Sequence, residues 1–224
     1  MIPCVSVANM RQSDAYTIAN FVPGLELMYR AAMGVFKAVQ WKGATAIVVG
    51  SGNNGGDGFA LACILKDHGF PCTVFTVSQH LSDDSAYYAT QAGQAGIPIQ
   101  AFSAGCLEGY DILVDCLLGT GFSGPVRGIY REAIDAINAS SGYVVSVDIN
   151  SGMNGDTGHA EVAVHSDLTV TIGYIKTGLI AENAKKYMKR LICTDIGIIL
   201  VREEQYLSEE NYPAWLDPTV IISL

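Results

Sequence analysis

Apolar residues fall into short runs separated by glycine, proline and polar clusters, and the period of the runs changes along the chain. Met10, Ala15, Ile18 and Ala19 share one side of a helix over about residues 6–20. After the Pro23-Gly24 break, Leu25, Leu27, Met28, Ala31, Ala32 and Val35 give a second helix. Residues 44–49 then read as a strand, 59–66 as the continuation of a helix begun in the intervening glycine loop, and 72–77 as a second strand. Ser82 stands as an N-cap, with Asp83 and Asp84 in the first turn of a helix ending near Gly96. The apolar runs at 97–102 and 111–118 suit buried strands. A helix follows over about 126–139, then a buried strand at 143–149 closed by a loop at 150–158, and further strands at 167–172 and 190–196. Strands alternating with helices predict βαβ units and a mostly parallel sheet covered on both faces. With no repeat or linker, one α/β domain over residues 1–224 is the economical reading.

Composition narrows this picture. The 224 residues are half hydrophobic and only 16% charged, enough for one sizeable core and against disorder. A net charge of −9 argues against a nucleic-acid or anionic-membrane partner. No signal peptide and no membrane-length apolar run is seen, so the chain reads as cytoplasmic. Cys4, Cys63, Cys72, Cys106, Cys116 and Cys193 form no CxxC pair and read as reduced thiols. His68, His80, His159 and His165 lack metal-ligand spacing and read as surface or loop residues.

The most informative stretch is V-V-G-S-G-N-N-G-G-D-G, residues 48–58. Its glycines permit a sharp turn and close approach to a ligand, and a helix beginning there presents N–H groups to an anion. It satisfies GxGxxG, but a dinucleotide fingerprint also needs an acid ending the second strand, and here Ser78 and Gln79 stand there, with no acid until Asp83. No Gly-Lys-Ser/Thr follows, so a Walker loop fails as well. An ordinary dehydrogenase is disfavoured.

Four polar clusters fall at strand ends: residues 50–57, Asp115 with 119–125, Asp148 with Ser151, and Lys176. A parallel sheet would bring all four to one rim, where ligands bind in open α/β folds. Asp148 is a general acid/base, an acceptor for a ligand hydroxyl, or a cap that orders its loop. Asp115 interrupts an apolar run and needs a cation, a donor cluster or a proton. Oxygens of Asp115, Asn54 and Ser151 could form a monovalent or divalent cation site; alternatively Asp115 accepts backbone N–H bonds from the turn at 119–121. Lys176 either neutralises a substrate phosphate or is a solvated surface lysine. For Cys116, Tyr87, Tyr88 and Tyr174, packing is the better reading.

Taken in order, V-V-G-S-G-N-N-G-G-D-G, V-D-C-L-L-G-T-G-F-S-G-P-V-R-G, V-S-V-D-I-N-S-G and I-K-T-G-L resemble the NAD(P)H-hydrate epimerases, the YjeF N-terminal-domain family. The similarity runs from about Met10 to Gly197 and includes M-R…D-A and L-E-L-M-Y-R-A-A near the start. The resemblance implies a Rossmann-like three-layer α/β sandwich with a mostly parallel central sheet and two extra N-terminal helices, usually dimeric. It implies interconversion of the R and S forms of hydrated NADH and NADPH, which are damaged cofactors, ahead of a separate dehydratase. Asn53, Asn54, Gly55, Gly56 and Asp57 would bind substrate, with Gly119, Thr120, Gly121, Phe122, Ser123, Gly124 and Pro125 as the second binding loop. Asp148 would contact the reacting ring, and one potassium ion per subunit would be held by Asn54, Asp115 and Ser151. Bacterial relatives often carry the dehydratase fused behind this domain, and a chain of this length reads as the epimerase half. Asn150 departs from the family, which has proline there; proline would stiffen the turn, whereas Asn150 could add a donor or acceptor of its own.

Inverting a hydroxyl-bearing carbon beside the ring nitrogen needs proton transfer to and from oxygen and no hydride acceptor. Asp148 is the candidate acid/base, and Lys176 assists by charge balance or phosphate contact. The competing class is a non-catalytic ligand-binding or scaffold module of the same fold. Retention of Asn53, Asn54, Asp57, Asp115, Asp148 and Ser151 favours catalysis.

Overall fold

The computed structural model of the chain describes residues 2–207 and 220–223. In order these form β1 (Ile2–Val5), α1 (Val7–Asn20), α2 (Gly24–Ala38), β2 (Thr45–Val49), α3 (Asn53–Asp67), β3 (Cys72–Thr76), α4 (Asp83–Gln94) and β4 (Ile99–Ala101). The second half gives β5 (Ile112–Cys116), α5 (Gly128–Ala139), β6 (Tyr143–Val147), β7 (Leu168–Ile172), β8 (Ile175–Lys176), β9 (Leu191–Asp195), β10 (Gln205–Leu207) and β11 (Val220–Ser223). Two short 3-10 segments, Thr177–Ile180 and Glu182–Lys186, lie between β8 and β9.

Eight strands make a parallel sheet in the order β11-β9-β7-β6-β5-β2-β3-β4. From β2 the chain steps outward through β3 and β4, then returns to the other side of β2 with β5 and continues outward through β6 and β7. The direction of winding therefore switches between β2 and β5, and a crevice opens beyond their carboxyl ends. A second, three-stranded sheet, β10-β1-β8, stands apart. In it, β1 runs parallel to β8, with Val5 opposite Lys176.

The central strands β2 and β5 are buried throughout, as a sheet covered on both faces requires. Ile47 and Val49 of β2 pack with α2 and α3, whereas Ala46 and Val48 face Ile134 and Ile137 of α5. The two faces are unequally covered: helices α2 and α3 carry one, and α5 with irregular segments carries the other. Registration places Asp115 opposite Ser146, and Ser146 opposite Thr169, so three polar side chains cross the middle of the sheet in one row.

Two expectations need correction. The run at 97–102 is an exposed edge strand only three residues long (β4), not a buried one. The helix after β2 begins at Asn53, so the asparagines, Asp57 and Gly55, Gly56 and Gly58 are helical rather than parts of a loop. Glycine is a poor helix former, but here close packing supplies the reason for it. A Cβ on Gly58 would come within 2.7 Å of Val49 Cγ1, and one on Gly56 within 2.6 Å of Met28 Cε. A Cβ on Gly50 would sit 1.9 Å from the Leu117 carbonyl oxygen, which is how tightly the ends of β2 and β5 are drawn together.

Candidate active site

Beyond the carboxyl ends of β2, β5, β6 and β7 lies a cavity of about 600 Å³. Asn53, Asn54 and Asp57 reach it from the first turns of α3, and residues 119–123 line it from the turn after β5. Asp148, directly after β6, and Lys176 of β8 form its floor. Met10, Leu27, Met28 and Ile172 are among its apolar walls. Gly55 and Gly56 are packed inside α3, Gly124 and Pro125 border a separate cavity, and Asp115 and Ser151 are fully buried.

Asp148 has a φ of +70°, the one non-glycine residue among those described with a left-handed backbone. Aspartate tolerates this conformation better than most residues, and strain of this kind collects at functional positions. Its N–H bonds to the Val170 carbonyl at 2.8 Å. One carboxylate oxygen accepts the Thr120 N–H at 3.3 Å, and the other accepts Lys176 Nζ. Lys176 is only 1% exposed, which removes the surface-lysine alternative. Its remaining donors go to Thr171 Oγ1 at 3.1 Å and the Ile172 carbonyl at 2.7 Å. A buried ammonium with all three protons committed in this way is a fixed positive charge for Asp148.

Asp57 carries no such partner among the described residues. Burial pushes its carboxyl well above the usual carboxylate range; Asp148 and then Asp14 add to the rise, and Lys176 opposes it. Asp14 on α1 also lines the cavity and is raised by burial, then by Asp148. Three carboxylates thus share one buried lysine, an arrangement that favours keeping a proton in the site.

Asp115 does not cap the turn at 119–121, as one sequence alternative had it. It accepts Ser151 N–H at 2.9 Å and Ser151 Oγ at 2.5 Å, Ser146 Oγ at 2.9 Å and Leu117 N–H at 3.2 Å. Burial raises its carboxyl, and the Ser151, Leu117 and Ser146 hydrogen bonds hold that rise back. Ser151 Oγ in turn accepts the Leu118 N–H at 2.9 Å. Residues 117–119 are therefore pinned from behind by Asp115 and Ser151, while Asn54 presses on Gly119 from the front, its Cβ 3.2 Å from where a glycine Cβ would be. Asn54 is 8% exposed, and both polar atoms of its amide lack a partner among the described residues. Buried amides are seldom left so, and this one calls for a ligand.

Asn150, the departure from the family pattern, is the hub of the next layer. Its Nδ2 donates to the Val164 and Tyr187 carbonyls and to Ser166 Oγ, at 2.9–3.0 Å. Its Oδ1 accepts Thr169 Oγ1 at 2.6 Å. The loop after β6 is thereby tied to β7 by side-chain bonds that a proline could not make.

Ser51, Asp14, Arg11 and Asp84 also line the cavity and were not singled out from the sequence. Tyr130 of α5 holds Ser51 through bonds of 3.2–3.3 Å. For Arg11 and Asp14 the signal was present: both belong to the M-R…D-A stretch and, three apart on α1, share a helix face.

A parallel sheet whose switch point opens on a cavity lined by a helix N-terminus, a glycine turn and a buried carboxylate–lysine pair belongs to the ligand-binding, Rossmann-like α/β class. The YjeF-related protein N-terminus family matches residues 24–178, and the chain belongs to that family. It is 39% identical to the NAD(P)H-hydrate epimerase of Limosilactobacillus fermentum over 85% of this chain and 95% of that one. It is 36% identical to the NAD(P)H-hydrate epimerase of Rhodopirellula baltica, over 92% of this chain and 88% of that one. A bifunctional NAD(P)H-hydrate repair enzyme Nnr from Coxiella burnetii is 37% identical over 84% of this chain, which spans 40% of that protein. Among solved structures, yeast ynu0, YNL200c, superposes with a TM-score of 0.69 at 20% identity, covering 79% of this chain and 83% of that one, a likeness of fold.

Proposed function

We propose that this protein is an isomerase that interconverts the R and S forms of hydrated NADH and NADPH. The observation that carries the proposal is the buried Asp148–Lys176 pair, held at a strained backbone position on the floor of a nucleotide-sized cavity. Epimerase relatives that align over most of their length support the choice of substrate.

The substrate bears a hydroxyl on the carbon next to the ring nitrogen. Asp148 exchanges a proton with that hydroxyl. Protonated, the hydroxyl leaves as water, the nitrogen lone pair fills the vacated position, and water returns to the opposite face. Deprotonated, the hydroxyl becomes an aldehyde as the C–N bond opens; the nitrogen takes the proton and re-closes on the other face. Both routes begin and end at the same oxidation level, so no hydride acceptor is required. Lys176 orients Asp148, and the raised carboxyls of Asp57 and Asp14 supply acid on the same cavity. The turn at 119–125 and the start of α3 bind the dinucleotide, with backbone N–H groups suited to phosphate.

A potassium ion beside residues 117–119 is part of the same proposal. The donor set, one carboxylate (Asp115) with neutral oxygens of Asn54 and Ser151, suits a monovalent cation, and the orphaned Asn54 Oδ1 is the open ligand. When bound, the ion would add positive charge near the dinucleotide. The functional partner would be an NAD(P)H-hydrate dehydratase, as the two-activity name of the Coxiella relative suggests. No helix among the described residues is long and apolar enough to cross a membrane. A homodimer working in the cytoplasm completes the proposal.

The test is a coupled assay. An equilibrated mixture of R and S hydrated NADH is treated with an S-specific dehydratase until only the R form remains, and the protein is then added. Renewed formation of NADH supports the proposal, and an unchanged R pool contradicts it.

A further inference from the structure

Six charged side chains line the cavity: Asp14, Asp57, Asp84 and Asp148, and the cations Arg11 and Lys176. A dinucleotide brings at least a dianionic pyrophosphate to a cavity that already holds more carboxyl groups than cations. Lys176 cannot balance that charge, because its three donors are already taken by Asp148, Thr171 Oγ1 and the Ile172 carbonyl. Arg11 is different. It is exposed at the cavity wall and makes no hydrogen bond or ion pair among the described residues. Its Nη2 lies 3.6 Å from where a Cβ on Gly121 would stand, so the guanidinium is already over the turn at 119–125.

We propose that Arg11 is the phosphate clamp of this site, its guanidinium closing on a phosphate group of the dinucleotide against the glycine turn. The guanidinium fork matches two phosphate oxygens at once, which a lysine does not do. Glycine at position 121 leaves the room that an anion between turn and arginine needs. The clamp rests on the dinucleotide reading of the cavity. It concerns binding alone, and Arg11 has no part in the proton transfers. The phosphate is either the pyrophosphate, common to both substrates, or the 2′-phosphate that only hydrated NADPH carries. Arg127, also exposed, stands behind the same turn in a separate cavity with Asn154 and His159, and is the internal control.

The experiment measures calorimetric binding of ADP-ribose and of its 2′-phosphate derivative to the wild type, Arg11→Ala, Arg11→Lys and Arg127→Ala, with KM and kcat for both hydrated cofactors. The expected result is a loss of about 10- to 100-fold in affinity for Arg11→Ala, the range of one charge-assisted contact. Arg11→Lys should recover only part of it, kcat should stay within about twofold, and Arg127→Ala should bind as the wild type does. A loss shared by both ligands assigns the pyrophosphate; a loss confined to the 2′-phosphate ligand assigns that group. Equal binding by Arg11→Ala and wild type, a loss produced by Arg127→Ala instead, or no binding by the wild type overturns the clamp. The two readings fail separately. Epimerisation that survives Arg11→Ala with KM unchanged removes the clamp alone, whereas an Arg11-dependent ADP-ribose site without epimerisation removes the function alone.

Discussion

Lys176 is buried beneath Asp148 and directs its ammonium to that carboxylate, although the two are 28 residues apart and Asp148 follows a strand of the large sheet whereas Lys176 lies in the three-stranded one. The pairing gives Asp148 a constant neighbour and explains why an otherwise apolar strand end tolerates a charge. It also makes stability and activity separable. Asp148→Asn should lower the epimerisation rate by about 10²–10⁴-fold and, by leaving Lys176 buried and unpaired, destabilise the fold by about 3–5 kcal/mol. Adding Lys176→Met should recover most of the stability and none of the rate. Urea unfolding and single-turnover rates on the same three proteins check both halves.

Asn150 makes the second prediction. Asn150→Ala orphans the Val164 carbonyl in the interior, while the Tyr187 carbonyl keeps the Ser166 N–H and the Thr169 hydroxyl keeps Ser166 Oγ. It should cost about 1–3 kcal/mol, the cost of one buried group left unsatisfied. Asn150→Pro, which installs the residue usual in the family, should also fall short of the wild type, because here the surroundings are built for an amide. Denaturant midpoints decide it: a Pro variant as stable as the wild type would show that the hydrogen bonds contribute nothing net.

The third prediction concerns pH. The Asp57 carboxyl is raised above its unfolded value of 3.8, so the folded protein binds the extra proton and stability falls as pH rises from that value through the folded one. Ionised Asp57 therefore works against folding at neutral pH. Asp57→Asn should melt higher than the wild type near pH 8, and the gap should close as the pH approaches about 4. A gap that is constant, or that widens in acid, would contradict the raised carboxyl.

Potassium makes the fourth. At about ten times its Kd, a cation bound only to the folded state adds about 1.4 kcal/mol, or roughly 3–6 °C in melting temperature. That shift should appear with potassium and not with tetramethylammonium, vanish in Asn54→Ala, and weaken in Asp115→Asn. Equal melting in both salts would remove the ion.

Much of this arrangement was legible in the chain because it is carried by local periodicity. The buried runs around Val48, Val114 and Val145 became neighbouring central strands, and the polar residues after them came to one rim because parallel strands share a direction. The start of α3 was not legible, because Gly55, Gly56 and Gly58 look like a loop until Met28 and Val49 are packed against them. The role of Lys176 was hidden for a different reason: its strand is two residues long and exists only because β1 pairs with it. Asp115 could be recognised as a buried charge needing partners, but that those partners are Ser146 and Ser151 follows from strand register, which no local pattern encodes. Arg11 and Asp14 lay in a motif whose helix face could be read, but the cavity that gives the face its meaning is closed by α2, the start of α3 and strand ends as far away as Lys176.

The central claim is that this site inverts the hydroxyl-bearing carbon of the hydrated nicotinamide with Asp148 handling the proton. The most direct measurement starts from the purified S form of hydrated NADH, with no dehydratase present, and follows the two epimers by chromatography. The R form should grow in much faster than in buffer, stop at the mixture also reached from pure R, and return to near the buffer rate with Asp148→Asn. Interconversion no faster than in buffer, or undiminished in Asp148→Asn, would contradict the account.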